Sequence, residues 1–355
     1  MAINQILTRQ QYSFIEKLSN ALAVSGEEGE IRRLVLDELH PVTIDFTVDT
    51  IGNLLITRKG SSTKRLRVMV AAHMDEVGLM VTQDMGDGLF RAEKLGGIDT
   101  RQLPGKSYII GKDHIPGVLG TRHVHLTTPQ DQKQKIPMDH LRLDVGPGKN
   151  NIQVGDRATF STRLQRMGPS LCGKALDDRL GVATLVELIK SSPANIDLLA
   201  AFTVQEETGS RGARVAANHF KPDLAIVLDA TPANDLPTFD GSENGIYNSI
   251  LGQGPAIYIN DWEAISDPRL VRLVEAVAEK EVIPCQRRQP GEVGTDAGAI
   301  HLEVGGIPSI SISIPCRYLH SAASMVRIKD YLNQVYLMKA VLKSIHPDLL
   351  TQERI

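Results

Sequence analysis

Four times along this chain a short apolar run of strand character ends at, or a few residues before, an acidic or histidine side chain. VMVAA leads into His73, AAFTVQ into Glu206 and Glu207, AIVL into Asp229, and SISISIP precedes His320. Short runs of this kind, nearly continuous in apolar residues, are typical of strands covered on both faces, and their alternation with helical patterns indicates an α/β sheet. In open α/β sheets ligands gather beyond the carboxyl ends of the strands, so these endings predict one shared crevice. Asp177 and Asp178, just ahead of a helical pattern over Leu180 to Ile189, add acidic groups near a positive helix start.

The 355 residues exceed the usual size of a single core, which predicts one large domain with an insertion, or two domains. Two helical patterns open the chain, one through Phe14, Leu18, Ala21 and Leu22, the other through Ile31, Leu34, Val35 and Leu39. Ser25 and Glu28 read as a capping box for the second. From about Gly78 to Gly168 short β-like stretches alternate with turn signals such as Gly86-Asp87-Gly88 and Gly146-Pro147-Gly148, and no long helical pattern appears. We therefore expect a small all-β domain, 78–168, inserted into a larger domain made of 1–77 and 169–355. Strands are expected over Asp197–Val204, Leu224–Leu228 and Pro308–Ile314, and helices over Pro268–Lys280 and Ile328–Ile345. There is no internal repeat.

The formal net charge is −3 with both signs interleaved, which is not the basic footprint of a nucleic-acid partner. No apolar run approaches a membrane span, and MAINQILTRQQYSF lacks the pattern of a secretory signal. The expected location is the cytoplasm. Three scattered cysteines, Cys172, Cys285 and Cys316, suit a reducing compartment and read as small buried hydrophobes.

Two histidines with several carboxylates form a ligand set for zinc, cobalt or manganese rather than copper or an iron–sulfur cluster. Paired metals typically sit ~3.5–4 Å apart with a carboxylate between them, and Asp177 is the candidate bridge. His73 and Asp75 fall on one side of an extended segment, so Asp75 is placed to accept a proton from the ring nitrogen that His73 does not offer to metal. Glu206 and Glu207 diverge in extended backbone. Glu207 is then free to coordinate while Glu206 takes a proton from water and passes it to the leaving amine. Singly, each residue has a plainer account: Asp177-Asp178 as a helix cap, Glu206-Glu207 as a solvated turn, a lone strand-end His or Asp as a satisfied turn residue. Together, all beside strand ends or a helix start, they outweigh it.

The motifs AAHMDEVG (71–78), GKALDDRLG (173–181), VQEETGSRGA (204–213), LDAT (228–231), GTDAGAI (294–300) and RYLHS (317–321) together resemble the tetrahedral aminopeptidases. These are cytosolic dinuclear-metal aminopeptidases, also described as glutamyl aminopeptidases or endoglucanase-like proteins. The resemblance spans nearly the whole chain. It implies a zinc-peptidase-like catalytic domain with a mixed sheet flanked by helices, and an inserted barrel-like domain that mediates dimerisation. It also implies two divalent ions (Zn, Co or Mn), with His73 and Asp229 on one, Glu207 and His320 on the other, and Asp177 bridging. Asp75 supports His73, Glu206 is the general base, and the Asp177-Asp178 peptide is cis. Asp296 and Arg317 lie in matching motifs as candidate substrate contacts. The implied activity is removal of N-terminal residues from short peptides, in homo-oligomers that reach a tetrahedral dodecamer. The stretch TPANDLPTFDGSENG after Asp229 departs from the family pattern and is a candidate pocket lining.

Other readings explain less. His123 and His125 sit two apart with no third ligand nearby, and Cys316 with His320 lacks an orienting third group. A glycosidase needs carboxyl groups ~5–9.5 Å apart across a sugar bond, whereas Glu206 and Glu207 are adjacent, and aromatic residues are only 4% of the chain. A deacylase on the same scaffold would act on N-acylated substrates, and a silent scaffold would leave the retained base and ligands unexplained.

Overall fold

The computed structural model describes residues 6–42, 45–130, 133–238, 240, 249–288, 291 and 293–354. Among these, eleven strands form one mixed sheet. Its centre is four parallel neighbours in the order Ile196–Thr203, Leu66–His73, Leu224–Pro232 and Ser309–Arg317. They are buried over most of their length, which is why they read as continuous apolar runs. Antiparallel strands complete both sides: Leu54–Arg58 and Asp45–Val48 on one, Ser324–Arg327, Ser170–Gly173 and Gln165–Met167 on the other. Register places Thr203 beside His73 and Asp229 beside Ser313, so the carboxyl ends lie level and their side chains meet.

Helices cover both faces. Arg9–Asn20, Gly29–Leu39, Leu176–Lys190, Pro268–Glu281 and Ile328–Ser344 contribute to the larger core on one face, and Arg211–Phe220 and Asp296–Ile300 to a smaller core on the other. The serine–isoleucine alternation after Pro308 shows the division: Ile310, Ile312 and Ile314 enter the larger core, while Ser311 turns the other way and hydrogen-bonds Thr295. No helix among the described residues is long and apolar enough to cross a membrane.

The expected capping box at Ser25 and Glu28 is not there. The Gly29–Leu39 helix has no side-chain cap. Ser25 donates instead to Asp75, and Glu28 accepts from the Gly26 N–H, because both side chains are buried against the strand ends. A reciprocal box does close the first helix, between Thr8 and Gln11.

Six antiparallel strands between Gly78 and Phe160 close a barrel in the order Gly78–Asp84, Leu89–Leu95, Arg142–Asp144, Ile115–Gly120, Ser107–Ile110 and Arg157–Phe160. It has its own core of Leu79, Val81, Phe90, Tyr108, Ile110, Leu119, Leu143 and Phe160. The chain enters it through a gap that fits only glycine: a Cβ on Gly78 would lie 2.4 Å from a Val24 methyl and 2.8 Å from the Ala158 carbonyl oxygen.

Glu76 ties barrel and sheet together. Its buried carboxylate accepts from Lys174 at 2.8 and 2.9 Å, from Arg179 at 3.2 Å, from the Ala23 N–H at 3.2 Å and from the barrel residue Thr159 at 2.7 Å. Burial alone would raise its pKa, but the two cations outweigh burial and hold it below the usual range. Replacing one member of such a cluster strands the others without water. We predict that Glu76→Gln costs about 3–5 kcal/mol of stability, read as a lowered denaturation midpoint. A loss under about 1 kcal/mol would mean that the cluster behaves like a surface ion pair.

Candidate metal centre

At the level ends of the strands, His73 Nε2 lies 3.1 Å from Asp177 Oδ1 and 3.7 Å from Asp229 Oδ1. His320 Nε2 lies 3.3 Å from Asp177 Oδ2 and 3.2 Å from Glu207 Oε2. The two oxygens of Asp177 are thus shared between two groups, His73–Asp177–Asp229 and Asp177–Glu207–His320. Within each group the ligand atoms lie within 4.8 Å of one another. Glu206 belongs to neither.

Local backbone sets these directions. The Asp177–Asp178 peptide is cis, and the two side chains part: Asp177 faces the histidines, while Asp178 accepts the Gly181 N–H and caps the helix. The plain capping account therefore holds for Asp178 and not for its neighbour. His73 Nδ1 sits 3.0 Å from the backbone carbonyl of Asp75, closer than the 3.6 Å to its carboxylate. The expected partner residue is present, but its carbonyl orients the ring. His320 Nδ1 is likewise placed 3.1 Å from the carbonyl of Gly97, which follows a barrel strand. When each Nδ1–H donates to its carbonyl, both imidazoles present an Nε2 lone pair to the carboxylates.

The Asp75 carboxylate has a different task. It accepts the N–H groups of Glu206 at 3.0 Å and Glu207 at 3.3 Å, and the Ser25 hydroxyl at 2.6 Å. Gln205 has φ of 56°, which turns the two successive N–H groups toward one anion. Asp75 thereby holds the turn from which Glu206 and Glu207 diverge.

The centre is buried at His73, Asp177 and Asp229 and half-buried at Glu206, Glu207 and His320. Burial, reinforced by neighbouring acids, pushes Asp229 up to about 7 and Glu207 up to about 8 despite opposing histidines, and Glu206 well above the carboxylate range. Asp177 is held low, because His320 and His73 outweigh its burial. Burial lowers the proton affinity of His320, but Glu207 and Asp177 outweigh it and raise the pKa to about 9. Glu207 Oε1 is buried without a hydrogen-bond partner. Two Nε2 atoms, three carboxylates and an oxygen with no donor form a set that divalent cations fit.

Asp296 is buried, accepts from Thr203 at 2.6 Å, and lies close enough to Glu206 for their charges to interact. Arg317 is engaged by Asp235 at 2.6 Å, so its charge is already balanced. Asp235 belongs to the divergent stretch after Asp229; positions 239 and 241–245 of that stretch lie outside the described residues. His123 and His125 are exposed and join no cluster of three ligands among the described residues. Burial pushes the Cys316 thiol up, away from a thiolate. Sequence reasoning did not find Ser25 or Gly97 as partners of the centre. Glu76 and Lys174 stand inside the quoted motifs, but Gly97 offers only a backbone atom and leaves no side-chain signal.

The profile described as M42 glutamyl aminopeptidase matches residues 52–337. A putative aminopeptidase from Acetivibrio thermocellus is 34% identical over 92% of this chain and 97% of its own length. The lysyl aminopeptidase of Pyrococcus furiosus is 32% identical over 95% and 98%. Among solved structures, the TET1 peptidase of Pyrococcus horikoshii, described as able to assemble into a tetrahedron or a large octahedral shell, superposes with a TM-score of 0.83 at 31% identity, over 94% of this chain and all of that one. A mixed sheet with this crevice and a closed barrel, in such company, defines an aminopeptidase, a hydrolase of peptide bonds. The chain belongs to the M42 glutamyl aminopeptidase family.

Ser25→Ala removes one of three donors from Asp75 while leaving every candidate ligand in place. We predict about a tenfold fall in kcat, little change in KM, and recovery in Ser25→Thr. An unchanged kcat in the alanine variant would show that the two backbone donors suffice.

Proposed function

We propose that this protein removes N-terminal residues from short peptides by metal-assisted hydrolysis, with Glu206 as general base. The observation that carries this reading is the sharing of Asp177 between two histidine–carboxylate groups while Glu206 stands outside both. His73 and Asp229 would hold one divalent cation and Glu207 and His320 another, with Asp177 between them, and zinc, cobalt and manganese suit the donors. Such cations supply Lewis acidity toward the peptide carbonyl and lower the pKa of water.

The chain's own residues supply the rest. Glu206, half-buried among other acids, has a high affinity for a proton at its carboxylate, as the acceptor of a proton from attacking water and its donor to the leaving amine requires. Asp75 is a positioning residue for it, through the backbone of the 205–207 turn. The excess of buried carboxylate favours a cationic peptide amino terminus over an acylated one.

The division into 1–77 with 169–355 and an inserted 78–168 belongs to the same proposal, as does the barrel's role in dimerisation. The assemblies of the Pyrococcus horikoshii relative support a homo-oligomer here. The family's name and the lysyl relative point to first residues of opposite charge, so membership leaves that preference open.

Chelator-stripped protein is expected to be inactive on aminoacyl-anilides and to recover with Zn²⁺, Co²⁺ or Mn²⁺. Turnover that persists after complete stripping would refute the role of metal. In the reloaded enzyme, Glu206→Gln is expected to cut kcat by roughly 10²–10⁴-fold at unchanged metal content. A smaller loss would move the base elsewhere.

A further inference from the structure

Arg288 is 3% exposed, yet neither Nη1 nor Nη2 has a hydrogen-bond partner. The rest of the side chain is fixed. Nε donates to Thr231 Oγ1 at 3.0 Å, the guanidinium carbon lies 4.4 Å from the centre of the Tyr258 ring, and the Tyr258 hydroxyl donates to the same threonine oxygen at 3.1 Å. Other cations near the centre are already balanced: Arg317 by Asp235, Lys174 and Arg179 by Glu76. A buried guanidinium held this firmly with both terminal nitrogens free lacks only an anion.

Its position says which part of a substrate would bring one. Thr231 lies two residues beyond Asp229 on the Leu224–Pro232 strand, so the two side chains share a face about 7 Å apart. On the adjacent strand Ser313 pairs with Asp229, and its hydroxyl is also buried without a partner. The wall running from Asp229 toward Arg288 therefore offers donors that nothing accepts. If the peptide amine and scissile carbonyl lie among the carboxylates, the side chain of the first residue is the group that reaches along this wall, over a distance of side-chain length.

We propose that Arg288 determines specificity in the pocket for the substrate's N-terminal side chain and selects an acidic residue, whose carboxylate meets Nη1 and Nη2 as a bidentate pair. Tyr258 and Thr231 hold the guanidinium in place to receive it. This deepens the aminopeptidase reading and rests on it.

The test is kcat/KM of the metal-loaded protein on the anilides of Glu, Gln, Leu and Lys. Glu and Gln have nearly the same shape, so their ratio isolates charge. Wild type is expected to favour Glu over Gln by about 30-fold or more. Arg288→Met should bring the ratio close to one, and Arg288→Lys should leave it intermediate, with thermal melts showing that both variants are folded. Inhibition of the wild type by free glutamate, well below the concentration of free glutamine needed, gives a second reading that requires no variant. A wild-type ratio near one, a preference for Lys, or a ratio that survives in folded Arg288→Met would each overturn the assignment while leaving the aminopeptidase reading intact. Failure to cleave any of the anilides would instead overturn that reading, and this inference with it.

Discussion

Buried and half-buried carboxylates repel one another through a medium that screens poorly, and this chain gathers Asp177, Glu206, Glu207 and Asp229 where four buried strands and a helix start converge. Much of the neighbouring structure offsets that repulsion. Asp229 takes the Ala230 N–H at 2.6 Å, Asp178 takes the Gly181 N–H, and Asp75 is satisfied by two backbone donors and a hydroxyl. Apart from the Ser25 hydroxyl these donors are backbone N–H groups rather than flexible side chains, so the acids keep their directions. Among the described residues the acid oxygens left buried without a donor here are Asp178 Oδ2, Asp296 Oδ1 and Glu207 Oε1, the last of them in a histidine group where a cation fits.

Neither body makes the centre alone. The sheet supplies His73 and Asp229, the helix that starts at Leu176 supplies Asp177, and the barrel supplies the carbonyl that aims His320. Glu76, three residues after His73, fastens the same junction through Lys174, Arg179 and Thr159. Stability and geometry thus meet at one seam. The buried ion cluster gains its value less from net attraction than from the penalty of breaking it.

The central strands were legible because burial on both faces writes itself as a continuous apolar run, and the long Ile328–Ser344 helix because its core side repeats at helical spacing. The candidate ligands were legible because they end those runs. Local motifs were less secure. Ser25 and Glu28 have the spacing of a capping box, but strand-end acids some 50 residues away outcompete the helix for the Ser25 hydroxyl. The barrel-to-sheet transition near Gly168 was blurred because Gln165–Met167 has the same short β texture as the barrel, although it pairs into the large sheet. Arg288 was unreadable from sequence. Only the pairing of the Gln286–Arg287 strand with Ala256–Ile257, and of Ala256–Ile257 in turn with Ser309–Arg317, sets it against Thr231.

The turn at Gly96 and Gly97 contributes a backbone oxygen to the centre and no side chain at all, and a methyl on Gly97 would come within 3.2 Å of His320 Nδ1. Scanning mutagenesis that truncates polar side chains would pass over it. For recombination between relatives the lesson is epistatic: a transplanted barrel that does not bring this turn at its native length would arrive folded and still misaim an imidazole encoded more than two hundred positions downstream.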